Sequence, residues 1–192
     1  MKTVQVAIAS AFLFLLAAVP GAFAQTVSWR QVVGIIPANN VVGSGTGQIP
    51  GGFLPWTTTF GSARVDLRTG EFEFEVKGLV FAGGSSAITI GTPGPITAVK
   101  GVLICDNNGS ASGGNSVLVE TPSVKLSSIG DARFEGHVGS LPAVCSSEKD
   151  IAFVVRASAI NGQATEGPWI ANGAVLVFND RDRDHDGDHD GR

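Results

Sequence analysis

Hydrophobic and polar positions alternate most cleanly over residues 63–79, which read ARVDLRTGEFEFEVKGL. Phe72, Phe74 and Val76 fall on one side of a period-2 strand. Glu71, Glu73, Glu75 and Lys77 fall on the other, the pattern of a sheet with one buried and one wet face. Thr69 and Gly70 separate this strand from residues 65–67 and predict a tight turn between the two. Gly78 predicts a bulge or a close backbone approach where the second strand ends.

Shorter runs of the same kind recur along the chain. Residues 26–36 predict a first strand, stopped by Pro37 with Asn39 and Asn40. The run AVKGVLIC at 98–105 is apolar towards its end and predicts a central strand covered on both faces. Residues 117–119 and 124–126 flank Pro122, which predicts an edge strand or a broken one. Residues 132–138 alternate again, with Ala132, Phe134 and Val138 inward and Arg133, Glu135 and His137 outward. Residues 151–157 and 169–178 predict two further buried strands. The intervening stretches are rich in Gly, Pro, Asn and Ser and read as loops. A long one, 43–55, contains GSGTGQIPGG. It lacks both the Lys-Ser or Lys-Thr pair and the following helical pattern of a phosphate-binding loop, so it reads as a plain surface loop.

These patterns predict an all-β fold, a single β-sandwich of about eight or nine mostly antiparallel strands. The first residues change what precedes it. Met1 and Lys2 are followed by an apolar run over 4–19, then Pro20, Gly21 and Ala22-Phe23-Ala24 before Gln25. That is the charged start, apolar middle and small-residue cleavage site of a secretory signal peptide, and the run is short for a bilayer span of roughly 20 residues. The expected division is a signal peptide at 1–24, a β-sandwich domain at 25–179 and a disordered Asp/His/Arg-rich tail at 180–192. The mature chain is expected to be secreted or periplasmic, without a transmembrane span.

Charge then narrows the partners. Of 192 residues, 168 follow the signal, enough for one sizeable core. Loss of Lys2 takes the net charge from −4 to −5. The tail carries −3 of this, as six Asp against three Arg. A nearly neutral body with no basic cluster argues against nucleic acid or an anionic membrane as the main partner. An unidentified protein or polysaccharide partner is the expectation.

Candidate chemistry is sparse. Cys105 and Cys145 are the only cysteines, each beside a polar loop in an exported chain, and predict a disulfide. Two free redox thiols would be expected at a Cys-x-x-Cys spacing. His137 is the only His before the tail and shares its face with Arg133 and Glu135. It reads as a solvated sheet-surface His in a charge ladder. Its catalytic alternative is a hydrolase with a cryptic site near His137, which needs a nucleophile or a second acid brought close by the fold. There is no G-x-S-x-G and no His-rich metal set. Trp29 and Trp169 fall inside strands and read as packing, whereas Trp56, in a Pro-rich loop, is the tryptophan expected to be exposed.

The tail, DRDRDHDGDHDGR, holds the one metal-like pattern. Asp182, Asp184 and Asp186 with Gly187 and Asp188 match the opening half of a calcium loop, and Asp190 stands at its ninth position. The twelfth position, where a bidentate Glu belongs, would fall beyond Arg192. Bound calcium would therefore be weak, on the order of millimolar. His185 and His189 would favour a transition metal instead. The other reading is a solvated tail of alternating charge with no cofactor.

Residues 61–79, GSARVDLRTGEFEFEVKGL, resemble the opening of the CHRD domain, an exported β-rich module. The shared features are a Gly-x-Ala-x-Val start, a turn containing Gly, an alternating strand and a Gly-Leu. The resemblance covers about the first third of such a domain. The family's His-rich motif after the Gly-Leu is absent, since residues 79–96 contain no His. GDARFEGHVGSLPAVCSSEKDIAFVVRAS and GPWIANGAV are similar to uncharacterised exported bacterial proteins. Neither resemblance implies an activity. The expectation from sequence is a secreted, non-enzymatic structural or binding module of the cell envelope or extracellular space, the alternatives being a calcium-assisted adhesion or assembly protein using the tail, and the hydrolase.

Overall fold

A computed structural model describes residues 26–36, 39–84, 89–146 and 150–179. The signal peptide at 1–24 and the tail aspartates Asp182, Asp184, Asp186, Asp188 and Asp190 lie outside the described residues. Within them the chain is all-β. Its strands are β1 (Thr26–Gly34), β2 (Val41–Val42), β3 (Ile49–Pro50), β4 (Trp56–Thr57), β5 (Phe60–Asp66), β6 (Glu71–Lys77) and β7 (Val80–Phe81). They continue with β8 (Ile96–Cys105), β9 (Val117–Glu120), β10 (Val124–Lys125), β11 (Ala132–His137), β12 (Ile151–Ile160), β13 (Gln163–Ala164) and β14 (Trp169–Asn179).

The β5–β6 hairpin forms where the alternation places it. Phe72, Phe74 and Val76 are buried and Glu71 and Lys77 exposed. Asp66 builds the turn: one carboxylate oxygen accepts the backbone N–H groups of Arg68 and Thr69 at 2.9 and 2.8 Å, and the Asp66 carbonyl accepts from Gly70. Burial works against the Asp66 charge, but these two N–H groups, Thr69 first, outweigh it and hold its carboxyl below the usual range. Gly70 has φ +76°, and a Cβ there would lie 1.9 Å from the Gly139 carbonyl, so the turn admits only glycine.

Ten strands form one antiparallel sheet, in the order β10-β8-β12-β14-β1-β5-β6-β11, with β9 also on β8 and β13 on β12. Two small ribbons, β2-β3 and β4-β7, stand apart from it. The two layers that a sandwich would pack face to face are here joined by the β14-β1-β5 pairings, and the sheet curls until its halves meet. Phe153 on β12 lies 5.9 Å from the Phe72 ring and 6.0 Å from the Phe74 ring, although β14, β1 and β5 separate these strands in the sheet. Trp29, Val65, Val99 and Leu103 complete this interior. The edge strands β10 and β11 approach each other, and residues 126–131 join them. Pro122 interrupts the edge as its lack of an N–H requires, leaving β9 and β10 as two pieces on β8.

Residues 43–57 differ from expectation. The segment read as a plain surface loop folds across the outer face of the sheet. Gly51 and Gly52 meet Trp169 at the start of β14, while Ser44 and Thr46 bond to Asn107, Asn115 and Ser116 beyond the end of β8. Ile49 is completely buried, and β8 is covered on both faces. Trp56 is buried as well, at 2 % exposure, not exposed as its Pro-rich surroundings predict. Its ring lies 4.0 Å from Phe81, because β4 pairs with β7 and encloses both aromatics. Trp29 and Trp169 are buried as expected.

Candidate functional site

Two groups of charged side chains stand out on this frame. The first lies on the outer face of β5, β6 and β11, where the outward residues apart from Phe60 are polar. Register sets His137 opposite Glu71, Glu135 opposite Glu73 and Arg133 opposite Glu75, while Arg64 faces Glu73 from the other side. Arg64, Asp66, Glu71, Glu73, Glu135 and His137 surround a concavity of about 580 Å³ over Phe72 and Gly136. Glu73 and Glu135 would repel across the strands. Arg133 relieves this by donating from one guanidinium nitrogen to both, at 3.3 and 2.7 Å. All three are about half exposed or more, so the bridges add little stability and leave the charges available to a ligand.

His137 is exposed on this rim, as its alternation predicts. The fold brings it together with carboxylates from β5 and β6. Among the described residues, no hydrogen bond fixes its ring, and no three or more His, Cys, Asp or Glu side chains converge as metal ligands. Concavity, exposed carboxylates and half-satisfied cations make a surface suited to ionic recognition.

The second group was not anticipated. Lys100 on β8 and Arg156 on β12 are directly opposed, and both side chains are about nine-tenths buried. Lys100 donates to Glu120 on β9 and to both carboxylate oxygens of Glu166, at 2.9 and 3.1 Å. Arg156 bonds Glu120 at 3.1 Å, Glu166 at 2.6 Å and the Gly167 carbonyl at 2.6 Å. The Lys100 hydrogen bond, opposed by partial burial and helped by the charges of Arg156 and Lys100, holds the Glu166 carboxyl below its ordinary 4.5. An ammonium that donates to three carboxylate oxygens has no lone pair to offer as a nucleophile. The quartet ties the turn between β13 and β14 to the sheet. Its signal in the sequence is one cation inside each of two strands that otherwise read as buried on both faces, since such a charge demands carboxylate partners.

Cys105 and Cys145 form the expected disulfide, with Cα atoms 4.8 Å apart. A second concavity, about 460 Å³, lies between β2 and the outer face of β1, β12 and β14. No helix among the described residues is long and apolar enough to cross a membrane. No protein-family model, no curated protein and no solved structure matches this chain.

Proposed function

We propose that this protein is an exported, non-enzymatic binding module, a curled and sandwich-like β-scaffold of CHRD type. The charged face of β5, β6 and β11 engages a cationic segment of an extracellular or envelope protein or polysaccharide. One observation carries the reading: four carboxylates, Asp66, Glu71, Glu73 and Glu135, surround one concavity on a three-stranded surface and outnumber its cation Arg64 and the adjoining Arg133, which bridges Glu73 and Glu135. A solvent-facing His137 without a fixed partner supports recognition in preference to hydrolysis. Isothermal titration of residues 25–192 with oligolysine and with chitosan oligomers tests it. Binding should weaken steeply with salt and vanish in the triple variant Glu71→Gln, Glu73→Gln, Glu135→Gln. Equal binding by that variant, or turnover of ester or glycoside substrates that His137→Ala abolishes, would contradict it.

The second reading, calcium-assisted adhesion or assembly, rests on the spacing of Asp182, Asp184, Asp186, Asp188 and Asp190. Calorimetry with calcium separates it from the first. Heat seen with residues 25–192 and lost in a chain ending at Asn179 supports a tail site, and equal responses dispose of it.

A further inference from the structure

Of the eight large apolar side chains exposed among the described residues, four stand on loops at one end, whereas Val175 lies within β14. β1, β6 and β12 end, and β5, β8, β11 and β14 begin, at one end of the curled sheet, as their registers require. Ile36, Phe53, Ile90 and Ile129 all stand on loops at this end. The backbone ties from Ile35 to Ile170, Gly52 to Trp169, Leu79 to Gly130 and Phe81 to Thr92 hold those loops there. Their exposures are 70, 82, 62 and 67 %. These loops also lack charge: the sequence has no Asp, Glu, Lys, Arg or His between Arg30 and Arg64, between Lys77 and Lys100, or between Lys125 and Asp131. The connection from β12 to β14 at the same end carries one charge, Glu166, which Lys100 and Arg156 bind. Thr26, paired with both Asn179 and Asp66, puts both ends of the described chain at the opposite, charged end.

We propose that this neutral end is a membrane-docking surface that seats Ile36, Phe53, Ile90 and Ile129 in the interfacial layer of a lipid bilayer. Single large apolar side chains on separate loops make a set of projecting points, which a fluid surface accepts without a matching set of pockets. Sinking charge-free loops among headgroups incurs no ionic desolvation. Exposed Lys125 stands at the margin, where it complements headgroup phosphates, while Lys77, 5.6 Å from the Phe60 ring centroid, is bridged to Glu75 at 3.2 Å. The carboxylates of the concavity lie towards the far end and stay free for a second partner. This docking is apolar in origin and so differs from the electrostatic attraction that the net charge argues against.

Flotation of residues 25–192, which carry every described strand, with vesicles of mixed phosphatidylcholine and phosphatidylglycerol tests the proposal. The chain should float with the vesicles, and Phe53→Ser with Ile129→Ser should weaken partitioning by about tenfold or more. These side chains are exposed, so the variant should keep its melting temperature. A Phe53→Trp chain should show blue-shifted emission on adding vesicles. Absence of flotation, or equal flotation by the double variant, would overturn the proposal. So would a dimer that the double substitution dissociates in a chain that ignores vesicles, since the occupant would then be a second copy.

Discussion

Among single residues, Glu120 and Glu166 show how burial decides the worth of an ion pair. Glu120 is about 29 % exposed and bridges both buried cations, whereas Glu166 is about 68 % exposed and can turn to water. Glu120→Gln should therefore cost about 1–3 kcal/mol in urea unfolding, since it leaves Lys100 and Arg156 with one mobile counter-ion. Glu166→Gln should cost under about 1 kcal/mol. Because the Glu166 carboxyl titrates below 4.5 when folded, its contribution is complete above that pH and is lost as pH falls through the lower folded value. Unfolding followed below pH 4.5 should accordingly show a shallower acid loss in Glu166→Gln than in the wild type. Lys100 and Arg156 were visible in the sequence as cations in apolar strands. Their partners were not, because Glu120 and Glu166 meet them only through the β8–β9 pairing and the turn after β13.

For the elements, legibility follows how local each cause is. β6 could be read directly, because alternation of Phe and Glu determines its faces without reference to any other strand. β8 was read as central and covered on both faces; it is so covered, but it lies one strand in from the edge that β9 and β10 form. What covers its outer face was hidden, because Gly, Pro and Asn in residues 39–55 are the composition of a loop whether the loop lies in water or across a sheet. Its burial comes from close backbone approach. Gly47 packs where a Cβ would stand 2.1 Å from the Ser116 carbonyl, contact that only glycine allows. Gly47→Ala should lift the excursion from the loop at 107–116 and speed amide exchange at Gly43, Ser44 and Thr46, whose N–H groups bond Asn107, Ser116 and Asn115. Exchange by mass spectrometry checks it. Unchanged protection there would show that the excursion is held elsewhere. Trp56 was misjudged for the same reason: β4 gains its cover from β7, a partner no local pattern announces.

The whole molecule is a sheet curled on itself, its two edges bridged in sequence and the connection between β11 and β12 stapled to the end of β8 by Cys105–Cys145. The staple closes a loop of 40 residues, so the double variant Cys105→Ser, Cys145→Ser should lose roughly 4 kcal/mol in the chain-entropy account, less where the unfolded chain is compact. Denaturant titration with and without reductant checks this, and a loss below about 1 kcal/mol would place the stability in the aromatic interior alone. At this scale the molecule is polar in the literal sense. A neutral end bears apolar tips, and the opposite end carries the β5–β6 turn, the charged concavity and the exit of the chain towards 180–192. The sequence shows the charge counts but not this segregation, which the strand order creates. The proposed recognition belongs to the outer face of β5, β6 and β11. The most direct measurement is an amide NMR titration of ¹⁵N-labelled residues 25–192 with oligolysine. Shifts confined to Arg64, Asp66, 71–75 and 133–137, suppressed by salt, are the predicted result, and shifts centred elsewhere, or none, would contradict it.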